Sequence, residues 1–173
     1  MTSISPFAPV TRRYSAGHLV PAHAHAWPQL LYASSGVMRV ETATGSWIVP
    51  PQRAVWLPPN SLHETTMLTD VHFASLYLSK TKKWSHGCEV VEISSLLREL
   101  IVTASQIRPG RKLSRRDNLI TDLIVEELQA APRGLSPIPL PANQRLLALC
   151  KNVIANPSAG ILLTKLSAEV GST

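Results

Sequence analysis

Cysteine is scarce in this chain. Its 173 residues include two, Cys88 and Cys150, too far apart to form a close-spaced pair. That excludes a disulfide-stapled scaffold and reads as free thiols in a reducing cytoplasm. Long apolar runs are missing as well. None approaches the ~20 residues a membrane-spanning helix needs, so no membrane partner is expected. The N-terminal stretch has no basic segment leading into an apolar one, and no signal peptide is expected. Acidic residues are few, 11 against 17 Lys and Arg, for a net charge of +6. This favours polyanionic partners, but the basic residues form no single dense run and the signal is modest. The length suits one good core, or one domain and a piece of another.

What the chain does have is a histidine-bearing segment between two glycines, Gly17 to Gly36, reading GHLVPAHAHAWPQLLYASSG. His23 and His25 are separated by one residue. On a β-strand, residues i and i+2 share a face, so both imidazoles can project into whatever the strand covers. Gln29 follows, and His63 comes after the turn-rich PPNSL segment. Three imidazoles and one amide oxygen would suit a divalent metal such as zinc, nickel, iron or manganese.

Strand-like segments surround these residues: 29–34, 37–42, 46–49, 54–57, 64–67 and 72–78 are short and rich in β-branched, aromatic or apolar residues. Gly36, Thr44-Gly45, Pro50-Pro51 and Pro58-Pro59-Asn60 punctuate them. This pattern predicts a β-sandwich or barrel. Trp27, Trp47 and Trp56 read as packing residues of its core or rim. After Lys80 the period changes. Ile93, Leu96, Leu97, Leu100, Ile101, Ala104 and Ile107 recur at helical spacing. Arg108-Pro109-Gly110 stops that helix. A second helix is predicted from about Ser114, where Ser114-x-x-Asp117 forms a capping box. Its apolar residues are Leu119, Ile120, Leu123, Ile124 and Leu128. The Pro-rich stretch APRGLSPIPLP reads as a linker. A third helix over about 143–155 and a short fourth over about 163–170 are expected beyond it.

The spacing of the histidine segment resembles the first motif of the cupin family. Gly17, His23, His25, Gln29 and Gly36 fit every interval, with Gln29 in place of the usual glutamate. Pro58, Asn60 and His63 fit the second motif, Asn60 standing where that family has glycine. Asn tolerates a left-handed backbone better than most residues, which makes the exchange mild. The resemblance implies a mainly β cupin fold, a double-stranded β-helix or jelly-roll barrel, followed by α-helices.

The whole layout resembles the AraC/XylS family of bacterial transcription regulators. PLPANQRLLALCKNVIANP is similar to the start of that family's DNA-binding domain, and LTKLSAEVG to the first helix of its first helix-turn-helix. The resemblance implies a cupin-type effector-binding barrel over 1–80, a helical dimerisation segment over 81–131, a linker over 132–141, and over 142–173 the start of a helix-turn-helix domain that stops before its recognition helix. No DNA-binding residue is therefore assigned, and specific DNA binding is expected only where the remaining part is present. The resemblance favours a homodimer through the second helix, with Leu119, Leu123 and Ile124 at its face. A metal on His23, His25, Gln29 and His63 and a small molecule lined by Leu31, Met38 and Thr65 are the effector candidates. A small metal-dependent cupin enzyme, an oxygenase or isomerase, is the alternative. It finds little support, because Glu64, next to His63, should point to the opposite strand face. No catalytic residue is assigned.

Overall fold

The computed structural model describes residues 7–43, 45–78, 87–108, 112–134, 145–146 and 148–150. Nine strands and two helices follow one another: β1 (Phe7–Tyr14), β2 (Leu19–His23), β3 (Gln29–Ser35), β4 (Met38–Thr42), β5 (Gly45–Val49), β6 (Arg53–Leu57), β7 (His63–Met67), β8 (Val71–Leu78), β9 (Glu89–Glu92), α1 (Ser95–Ala104) and α2 (Arg115–Ala130). They form an antiparallel five-stranded sheet in the order β1-β8-β3-β6-β9 and a four-stranded sheet in the order β2-β7-β4-β5. This is the mainly β cupin barrel with helices after it. The strands expected from 29 to 78 are all present within a residue or so at each end. β9 pairs with β6, Val91 opposite Ala54, and so carries the larger sheet past residue 80.

Strand alternation divides the apolar residues between two cores. Leu30 and Tyr32 of β3, Ala54 and Trp56 of β6, and Ala74, Leu76 and Leu78 of β8 share one cluster with Leu97, Ile101, Ile124 and Leu128 of the helices. Leu31 and Ala33, Val55 and Leu57, and Phe73 belong to the other, with Met38, Val40, Trp47, Val49 and Met67 of the smaller sheet. The larger sheet is thus covered by helices on one face and by the smaller sheet on the other. Its central strand is buried at five consecutive positions, as expected when both faces are covered. Trp47 and Trp56 are core residues; Trp27 is exposed.

Both predicted helices form. Ser94 caps α1 by accepting from Leu97 N. The capping box of α2 is present: Ser114 Oγ accepts from Asp117 N at 3.2 Å, and Asp117 Oδ2 accepts from Ser114 N at 2.7 Å. The apolar stripe of α2 splits, however. Ile124 and Leu128 are fully buried against the barrel, whereas Leu119 and Leu123 are 59% and 41% exposed. Ile124 therefore does not belong with Leu119 and Leu123 at an outward face. It lies on the stripe with Asp117, Thr121 and Leu128, at the helical spacing that turns toward the sheet.

Two turns have left-handed residues, one at the histidine end of the barrel and one at the opposite end. Asn60 takes a left-handed φ of 61°, and its amide donates to His25 O at 2.6 Å, which ties the second motif to the first. Gly36 has φ 80° and packs directly on the Asp70 carbonyl, where any Cβ would collide.

Residues 1–137 and 138–173 are separate compact units. In the second, residues 145–146 and 148–150 are helical, within the span predicted for the third helix. The fourth helix, the helix-turn-helix start and most of the linker lie outside the described residues. No described helix is long and apolar enough to cross a membrane.

Candidate metal and effector site

The three histidines come together at one end of the barrel. β2 runs only to His23, after a register irregularity that begins at Val20. Pro21, which has no amide proton, sits in that irregularity. His23 is paired directly across from His63, the first residue of β7. His25 lies just beyond the end of β2, so the same-strand argument for the His23/His25 pair holds only in its outcome. The hydrogen bond from Asn60 to the His25 carbonyl holds this segment over the barrel end. Ring centroids are 4.4 Å apart for His23–His63, 4.7 Å for His23–His25 and 5.7 Å for His25–His63. One nitrogen from each ring lies within 4.8 Å of the others.

Hydrogen bonds fix two of the imidazoles. His23 Nδ1 is 2.7 Å from the Pro21 carbonyl and His63 Nδ1 is 2.9 Å from the Ser61 carbonyl. A carbonyl can only accept, so each Nδ1 carries a proton, which in a neutral ring leaves the lone pair on Nε2. This is the arrangement by which second partners orient metal-binding histidines. Burial lowers the pKa of His63 to about 4, opposed by its bond to Ser61 and reinforced by His23 and His25. Burial, then His23, also lowers that of His25. These two rings are neutral at pH 7, the protonation state a metal requires.

Gln29 and β8 complete the site. Gln29 is 4% exposed. Its Nε2 donates to Ser75 Oγ at 2.7 Å and to Tyr77 Oη at 3.2 Å, and its Oε1 has no hydrogen-bond partner. A buried, unpartnered carbonyl oxygen is costly and calls for a donor or a cation. Tyr77 Oη in turn lies 3.1 Å from His25 Nε2. Burial raises the Tyr77 pKa, which keeps its phenol protonated.

These groups line a cavity of about 260 Å³. Leu31 and Thr65 also line it, as the sequence suggested. Met38 does not. In the β4–β7 register Thr42 stands opposite His63, Val40 opposite Thr65 and Met38 opposite Met67, so Met38 is four residues further along the sheet, in the apolar cluster. Ser75, Tyr77, Arg12 and Tyr14 also line the cavity and went unrecognised in the sequence. For Ser75 and Tyr77 the signal was there: in 73–78 they alternate with Ala74, Leu76 and Leu78, and two polar residues on an otherwise apolar face mark a lined cavity. Larger clefts of about 450 and 420 Å³ lie elsewhere, one beside the end of α2 and one beside Asp70.

The model of the AraC-like ligand binding domain matches residues 9–128. The chain belongs to this family. The match takes in both sheets from Pro9 on, the two helices to Leu128 and every residue that lines the histidine cavity. The HTH-type transcriptional regulator NimR of Escherichia coli (strain K12) is 23% identical over 138 residues, which are 79% of this chain and 50% of NimR. The chain thus spans about half the length of that relative. Two structures of ToxT from Vibrio cholerae share this fold. One, from strain O395, has a TM-score of 0.54 at 9% identity and covers 97% of this chain and 70% of its own. The other has a TM-score of 0.51 at 9% identity, covering 96% and 72%.

Proposed function

We propose that this chain is the effector-binding part of an AraC-type transcription regulator and that the histidine cavity is its effector site. The observation that carries this reading is that the cavity lies wholly inside the segment matched to the ligand-binding domain. On this reading His23, His25, Gln29 and His63 hold a divalent metal, with Leu31 and Thr65 lining the space beside it. Two free Nε2 lone pairs and the orphaned Gln29 Oε1 support the fit. A bound metal would supply a fixed positive charge and open positions for a small-molecule ligand. The protein's contribution is to orient the imidazoles.

Occupancy of the cavity would bear on β2 and β7 and, through β8 and β3, on the sheet that α2 covers. A ligand that favours one arrangement of these elements shifts the whole regulator by its difference in affinity. The outward pair Leu119 and Leu123, one helical turn apart, supports a homodimer through α2. DNA binding belongs to the complete regulator. A catalytic role is less favoured: no carboxylate lines the cavity among the described residues, and Glu64 lies on the other face of β7 from His63.

The test is a fusion of the chain to a heterologous DNA-binding domain that represses only as a dimer. Repression should appear and should respond to metal supplied to the cell. Failure of the fusion to repress, with the fused protein folded and expressed, would reject the dimeric-sensor reading.

A further inference from the structure

We propose that the effector is a small organic carboxylate, its charge shared between Arg12 and the metal on the histidines. This rests on the metal-binding reading above and deepens it.

Charge decides the class of ligand. A divalent cation on neutral imidazoles and one amide oxygen keeps its full charge, because none of the described residues lining the cavity is acidic. Gln29 stands where a carboxylate would have offset part of it, and Gln29 is 4% and His63 2% exposed. A charge held there without a counter-charge is costly. Arg12, itself exposed to solvent, adds a further positive charge beside the site. It lies on β1 opposite Phe73, lines the same cavity and makes no ion pair with any described residue. With a metal bound the site would be cationic, and no described residue lining it supplies a counter-charge.

Shape and polarity select the class of anion. The cavity, about 260 Å³, has room for about nine waters at ~30 Å³ each, enough for a small molecule and too little for a long chain. Val10, Val20, Leu31 and Phe73 give it an apolar wall, which an inorganic oxyanion would leave unused. A carboxylate on a short apolar body matches both halves, and guanidinium–carboxylate pairing favours it further.

The experiment is titration calorimetry on the full chain loaded with zinc, using acetate, propionate and benzoate, each against its neutral amide, and inorganic phosphate. Zinc content is measured in parallel by elemental analysis. At least one carboxylate should bind about tenfold or more tightly than its amide, as expected for an added charge-assisted contact, and none should bind the metal-free chain. Arg12→Ala should cost about tenfold in carboxylate affinity on the same grounds. Gln29→Glu should retain zinc and lose the carboxylate preference, because the new side chain supplies the counter-charge. Zinc-loaded protein that treats carboxylate and amide alike overturns the proposal, and so does a Gln29→Glu variant that binds carboxylate as before. Phosphate binding tighter than every carboxylate overturns the organic class. A chain that takes up no zinc overturns the metal reading itself.

Discussion

Ile124 and Leu123 are neighbours on α2 with opposite environments, and exchanging each separates packing from association. Ile124 is fully buried in the cluster that holds Trp56, Leu97 and Ile101. Ile124→Ala removes three carbon groups, Cγ1, Cγ2 and Cδ1, from this core. Large-to-small changes of this kind cost about 2–5 kcal/mol. With ~3 kcal/mol as a central value and ~2–4 °C per kcal/mol for a chain of this size, the melting temperature should drop by about 6–12 °C. Trp56, buried in the same cluster, provides the fluorescence readout for urea unfolding. Leu123 is 41% exposed. Leu123→Arg should leave the core intact and shift the chain from dimer to monomer by light scattering. The reasoning fails if Ile124→Ala costs less than ~1 kcal/mol, below any buried isoleucine of this kind. A Leu123→Arg variant that stays dimeric moves the interface off α2.

Two further outcomes are expected. The low folded-state pKa of His63, about 4 against an ordinary 6.5, means that the unfolded chain takes up protons first as the pH falls. Metal-free protein should therefore lose stability progressively from pH ~6.5 to ~4, by about 1–2 kcal/mol after solvent screening. His25 adds in the same direction, and a urea-unfolding series at several pH values should show a weaker dependence in His63→Gln. Gly36→Ala should destabilise the barrel by about 2–4 kcal/mol, because a Cβ on this left-handed residue meets the Asp70 carbonyl. A thermal melt equal to that of the unchanged protein would contradict the turn geometry.

Much of the barrel was legible because its strands are short, rich in β-branched, aromatic or apolar residues and punctuated by Gly or Pro pairs. Ser114 and Asp117 announced the start of α2, and the intervals from Gly17 to Gly36 announced three of the cavity's histidine and amide residues. Less was legible where the answer depends on partners distant in sequence. His25 reaches the site through a loop tied to Asn60, not through strand periodicity. β9 is four residues long and gains its place by pairing with β6 and with the stretch after α2, so the change of period after Lys80 hid it. Met38 and Ile124 have the right residue type and phase, but strand register places one beyond the cavity and helix rotation turns the other inward. Arg12 lies on β1, brought to the cavity by its pairing with β8 across some sixty residues of chain, as the Arg12–Phe73 pairing shows, a relation no local pattern encodes.

The most direct measurement is the metal content of the purified chain after dialysis against zinc, with His25→Ala alongside. About one zinc per chain is expected, as a single three-histidine site would hold, and loss of that zinc in His25→Ala without loss of the fold by circular dichroism. Zinc-free protein after exposure, or the same zinc content in both proteins, would contradict the claim that these histidines form a metal-dependent effector site.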